Sequence, residues 1–182
     1  MEIKTTTDYQ EKKQHGSRLF PFNIYPCTIP LDFPVVPLHW HKEMELIYIK
    51  KGRGQIQLET DNYEGGAGDI FVVPPGTLHS IHKLKGCTME YENIIFEVEF
   101  LGEGAADLCA GEFLVPLASG RLLPPAKICQ GEEYYDALKK SLNQMEELCE
   151  TKEKAYELGV KAAVLQMIFI LRSEERRCRE RV

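Results

Sequence analysis

The chain has 182 residues, 43% of them hydrophobic and 27% charged, with a formal net charge of −6. This length and composition describe an ordinary globular chain with room for a real core. The acidic balance excludes a nucleic-acid or anionic-membrane surface, which needs clustered Lys and Arg.

Residues 1–17 read as a flexible arm, polar throughout and without the apolar stretch of a secretory signal. His15, within it, reads as incidental. A cytoplasmic chain is therefore expected. The cysteines (Cys27, Cys87, Cys109, Cys129, Cys149 and Cys178) are scattered with no C-x-x-C pair, so they are expected as reduced thiols rather than a zinc or redox motif.

Residues 18–125 are punctuated by Gly and Pro into short apolar runs. Strands are predicted over Phe22–Ile29, Val35–His39, Glu43–Ile49, Gln55–Glu59, Ile70–Val73, His79–Leu84 and Thr88–Phe100. Pro26 assigns the first of these to a sheet edge. Turns are expected at Lys51-Gly52-Arg53-Gly54 and at Asp61-Asn62. Many short strands at regular spacing point to a sandwich or barrel.

Residues 126–182 change character. Tyr134, Leu138, Leu142, Met145 and Cys149 recur at helical spacing and predict a helix from about Glu132 to Glu150. Thr151 is a candidate N-cap for a second helix, from about Lys152 to Arg177. Its buried side is expected to carry Ala155, Leu158, Ala162, Leu165 and Phe169, with Ile168 a further candidate for that side. Val164, Met167 and Ile168 are then left over for a dimer interface, because this helix is apolar around most of its circumference from Val160 to Leu171. Lys161 and Gln166 interrupt that run, which is too short to span a membrane. The charged tail from Arg172 to Val182 reads as a solvated helix end.

Two stretches carry chemistry. The first runs His39-Trp40-His41, three residues, Glu45, six residues, Gly52. On a continuous strand the odd-numbered His39, His41 and Glu45 share one face, with Trp40 and Tyr48 on the other, packed in the core. Ile47 and Ile49 would point inward, with Glu43 near the mouth. The second stretch runs Gly68, five residues, Pro74, one residue, Gly76, two residues, His79. The Pro74-Pro75-Gly76 turn delivers a third imidazole to the next strand, where it can meet the first cluster. His82, of opposite parity to His79, is expected at the surface. His39, His41, Glu45 and His79 suit a divalent transition metal such as Zn, Ni, Fe or Mn. They read equally as a pocket lining that hydrogen-bonds a ligand.

The paired motifs resemble the signature of the cupin superfamily, H-x-H-x3-E-x6-G followed by G-x5-P-x-G-x2-H. The chain departs from it at Phe33, where a glycine is usual, and at Lys83, where an asparagine is usual. The wording from Val36 to Tyr48, around Gly68-Asp69-Ile70 and Pro74-Pro75-Gly76, and over Tyr91–Phe96 is similar to the sensor domain of AraC-type transcription regulators. That resemblance implies a mainly β fold with C-terminal α: a cupin-type (jelly-roll) β-barrel followed by a long antiparallel helix pair. It implies a homodimer formed by those helices, and a small-molecule effector, such as a sugar, bound by His39, His41, Glu43, Glu45 and His79. DNA would be reached only through a helix-turn-helix domain, which this chain lacks. The end at Val182 then reads as the start of an inter-domain linker. No catalytic residue and no membrane partner are expected. The alternative is a stand-alone metal-dependent cupin enzyme, a dioxygenase or sugar isomerase, for which Glu43 and Tyr48 are only generic acid–base candidates.

Overall fold

The computed structural model describes residues 6–102 and 107–180. The chain divides into two compact units, residues 1–126 and 127–182.

The first unit is built on seven strands: β1 (Phe22–Ile29), β2 (Val35–His39), β3 (Met44–Leu58), β4 (Asp61–Gly66), β5 (Ile70–Val73), β6 (His79–Lys83) and β7 (Met89–Phe96). All their pairings are antiparallel. The long β3 belongs to two sheets. Its first half, Met44 to Gly52, pairs with β7 and β5, and its second half, Arg53 to Leu58, pairs with β6 and β4. One sheet therefore runs β1-β7-β3-β5 and the other β2-β6-β3-β4. Two such four-stranded sheets sharing a corner strand make a jelly roll.

The expected turn at Lys51–Gly54 is instead this corner. A bulge between Ile49 and Lys51 and a left-handed Gly52 (φ 76°) bend the strand without ending it. A Cβ at Gly52 would lie 2.0 Å from the Thr88 carbonyl oxygen. Gly52→Ala is accordingly expected to cost about 3 kcal/mol or more in urea-unfolding free energy, through left-handed strain and backbone overlap together. The expected turn at Asp61-Asn62 lies inside β4, because the two-residue turn is Glu59-Thr60 (Leu58 pairs with Asp61). Pro26 sits on β1, which is an edge strand. The last predicted strand stops at Phe96, and Val98–Leu101 forms a 3-10 turn.

The barrel interior is an apolar cluster that includes Ile47, Ile49, Ile56, Phe71, Val73, Ile81 and Met89, all fully buried. Ile47 and Ile49 point inward as the parity argument requires. Tyr48 is buried, while Trp40 is only half-buried.

The second unit holds α1 (Tyr135–Thr151) and α2 (Tyr156–Glu180), packed on each other. Thr151 is not an N-cap. It ends α1, its hydroxyl donating to the Glu147 carbonyl at 3.0 Å. Lys152 follows in the left-handed conformation, closing the helix through its N–H to Leu148 O. On α1 the buried residues are Tyr135, Leu138, Ser141, Leu142 and Met145. On α2 the expected face is reversed. Val160, Ala163, Val164, Met167 and Ile168 are buried, whereas Leu158, Leu165 and Phe169 are 69%, 39% and 63% exposed. The expected solvation of the charged tail lies outside the described side chains beyond residue 172. Among the described residues no helix is long and apolar enough to cross a membrane.

Candidate functional site

His39 ends β2 and His79 opens β6, and the two are register partners with ring centroids 4.2 Å apart. The chain does not continue as one strand from His39 to Glu45. It leaves β2, turns through Trp40–Glu43 and re-enters as β3 at Met44. The His41 carbonyl accepts the Gly76 N–H at 2.8 Å, so the two motif turns are tied to each other. The cluster therefore forms at a corner of the barrel rather than along one strand face.

His39, His41 and His79 each offer a ring nitrogen within 4.8 Å of the others. Their tautomers follow from their backbone partners. Nδ1 of His39 lies 2.8 Å from Pro37 O, Nδ1 of His79 2.8 Å from Thr77 O, and Nδ1 of His41 3.1 Å from Glu43 O. A carbonyl oxygen only accepts, so each Nδ1 donates, and in the neutral rings each Nε2 keeps a lone pair. Such carbonyl bonds orient imidazoles in metal sites.

Two of the three Nε2 atoms, those of His41 and His79, meet a carboxylate. Glu45 Oε2 lies 2.9 Å from His41 Nε2 and 3.2 Å from His79 Nε2. The second approach lacks hydrogen-bond geometry, so His79 Nε2 is buried without a partner, and the other carboxylate oxygen, Glu45 Oε1, is buried without one as well. Burial works against the Glu45 charge, but the His79 and His41 imidazoles outweigh it and hold the carboxyl well below its ordinary range. Burial likewise opposes a charged His41, yet the Glu45 hydrogen bond and charge raise its pKa. His39 is lowered by burial and by the charge of His79. Acceptor lone pairs facing a buried carboxylate repel unless a proton or cation lies between them. The donor set, the fixed tautomers and the orphaned atoms therefore fit a divalent transition metal.

A cavity of about 510 Å³ opens beside the cluster. Tyr25 and Cys27 of β1 and Tyr91 and Asn93 of β7 form one wall, Phe33 and Val36 another, and His39 and Glu45 one end. His41 and His79 are buried and do not line the cavity. A further polar atom, Asn93 Oδ1, is buried there without a hydrogen-bond partner, and the Tyr91 hydroxyl lies against the Cys27 thiol. Burial pushes the Cys27 thiol up to about 11, and also raises the Tyr91 phenol. Glu43 does not line this cavity. Its carbonyl receives His41 Nδ1, and its carboxylate lies 3.5 Å from the same nitrogen. His82 is half-buried and bonds Ser80 Oγ at 2.9 Å.

Sequence reasoning missed the arm. His15 is 3% exposed, with Nδ1 3.2 Å from the Tyr25 hydroxyl and its ring 5.8 Å from that of His41. Glu11 Oε2 lies 3.3 Å from His15 Nε2 and 3.9 Å from His39 Nε2. The His15 hydrogen bond, opposed by burial, lowers the Glu11 pKa. No periodicity marks these residues, because backbone bonds dock them: Trp40 N–H to Tyr9 O and Glu11 N–H to Trp40 O.

Residues 27–168 match the model of the AraC-like ligand binding domain family. Over 152 residues the chain is 21% identical to an uncharacterized HTH-type transcriptional regulator, YdeC, of Bacillus subtilis. That alignment covers 83% of the chain, which spans about half (51%) of the relative's length. Among solved structures, similar proteins include a cupin 2 conserved barrel domain protein of Salinispora arenicola, 21% identical over 44% of this chain and 66% of that one, TM-score 0.39. Another is an RmlC-like cupin family protein with a double-stranded beta-helix fold from Methanocaldococcus jannaschii, 19% identical, covering 42% of this chain and 70% of that one, TM-score 0.38. A predicted oxalate decarboxylase of Thermotoga maritima is 30% identical over 35% of this chain and 56% of that one, TM-score 0.34. With its jelly roll, its helix pair and a family match over most of its length, the chain belongs to the AraC-like ligand binding domain family.

Proposed function

We propose that the chain is the effector-sensing and dimerising part of a cytoplasmic transcription regulator. It takes a small polar molecule into the barrel cavity, beside a divalent-metal site made by His39, His41, His79 and Glu45. DNA would be contacted only by a helix-turn-helix domain outside these residues. The observation that carries the reading is the pairing of a cavity of about 510 Å³ with buried acceptors that lack partners at its wall and end, Asn93 Oδ1 and Glu45 Oε1. Such atoms are costly unless something fills their hydrogen-bonding capacity. Both can only accept, so the occupant must donate, as the hydroxyls of a sugar do. A bound cation would polarise and orient an oxygen of that molecule.

Native mass spectrometry with elemental analysis tests the reading, with a screen of neutral polyols and sugars read by thermal shift and NMR. The expected result is a dimer retaining metal. One compound class should stabilise it by about 2.7 kcal/mol at a hundredfold excess over Kd and be recovered unchanged. Chemical conversion of that compound would transfer the case to the enzyme alternative. A chain that no such compound stabilises would refute the sensor reading.

The proposed dimer would form through α2. Leu158, Ala162, Leu165 and Phe169 recur every three or four residues as an exposed apolar seam, the spacing of helix-to-helix knobs. Leu165→Asp with Phe169→Asp is expected to convert the dimer to a species near the chain mass of 20.8 kDa in light scattering. A dimer that survives both changes rejects this seam.

A further inference from the structure

We propose that Glu11 of the N-terminal arm is a further ligand of the barrel's metal site, so that loading the site with a divalent transition metal fastens the arm across the barrel mouth. The proposal rests on the reading of the histidine cluster as a metal site.

Two observations bring Glu11 to this site. First, the backbone stitches it beside the ligand segment. Gln10 bridges Trp40 in parallel, Trp40 N–H reaches Tyr9 O at 3.0 Å, and Glu11 N–H reaches Trp40 O at 2.9 Å. Trp40 is the residue between His39 and His41, so Glu11 has little freedom to sit elsewhere while these bonds hold.

Second, the carboxylate is within coordinating span of His39. Its Oε2 lies 3.9 Å from His39 Nε2, whose ring is already turned by the Pro37 carbonyl to present that nitrogen. Two atoms bound to one zinc at ~2.1 Å each lie at most ~4.2 Å apart, so 3.9 Å is a separation that one ion can bridge. His15 acts as a positioning residue. It is buried, bonds the Tyr25 hydroxyl through Nδ1 and holds the same Glu11 oxygen through Nε2.

Ligation gives Glu11 a role that a solvent-facing arm carboxylate would lack.

The test is a titration with cobalt(II) and zinc(II) of the wild type, Glu11→Gln and the exposed-arm control Lys12→Ala. Hydrogen exchange of residues 9–15 is followed with and without zinc. Cobalt affinity is expected to fall about tenfold or more in Glu11→Gln, as for other groups that support metal sites. The visible cobalt band should also change shape as one ligand is lost, with Lys12→Ala unchanged. In the wild type, zinc should slow exchange of the arm amides about tenfold, and in Glu11→Gln it should not. Unchanged affinity and band in Glu11→Gln, or arm exchange that ignores zinc in the wild type, overturns the proposal and leaves the histidine site standing. A wild type that takes up neither metal overturns both. The exchange measurement on the wild type stands even if the variant misfolds.

Discussion

His79→Ala is expected to reduce divalent-metal affinity by at least about 100-fold, the upper end of what even supporting groups lose. His79 is fully buried, its Nδ1 is committed to the Thr77 carbonyl, and its Nε2 has no hydrogen-bond partner. It is also the one ligand delivered by the second motif, so its loss leaves only the corner residues His39, His41 and Glu45. Isothermal titration with zinc reads the effect. His82→Ala is the matched control, since that ring bonds Ser80 rather than the cluster. Equal losses in both variants would mean that the site is not where the three Nε2 atoms meet.

Glu45→Gln is expected to cost the metal-free protein about 3 kcal/mol, the cost of breaking a buried charge pair by removing one member. The pH dependence identifies the cause. The Glu45 carboxyl is held below its ordinary 4.5, so its contribution is complete above that pH and fades as pH falls toward its folded value. The His41 imidazole is held above 6.5, so its contribution is complete below that pH and is lost as pH rises through its raised pKa. The stability difference between wild type and variant should therefore be largest between about pH 4.5 and 6.5 and shrink on both sides. His39, lowered chiefly by burial, tilts stability the other way, but it does so in both proteins and largely cancels in the difference. Urea unfolding across this range measures it. A difference that does not vary with pH would show that lost packing, not the ion pair, is responsible.

The site was legible in the sequence because its spacing is enforced by turns. Pro74-Pro75-Gly76 fixes where β6 begins, and the short corner from Trp40 to Glu43 fixes where β3 begins. Same-face alternation led to the right residues through a strand that does not exist between positions 39 and 45. The strand β4 escaped notice because Tyr63 is its only large apolar residue, so it carries no alternation. The face of α2 was misassigned because Val160 to Leu171 is apolar nearly all round. Periodicity alone cannot choose between Leu158-Leu165-Phe169 and Val160-Val164-Met167 there, and Ala155 and Leu158 set the wrong phase. Glu11 and His15 were invisible for a different reason. Their docking depends on main-chain bonds to Trp40, which leave no mark on side-chain pattern.

The most direct test of the shared histidine centre is a long-range proton–nitrogen spectrum of the imidazoles during a zinc titration. The expected result is that Nε2 of His39, His41 and His79 all shift on metal binding while their Nδ1 protons persist, and His82 stays unmoved. Resonances of His39 or His79 that ignore zinc, or metal carried on Nδ1, would contradict the account.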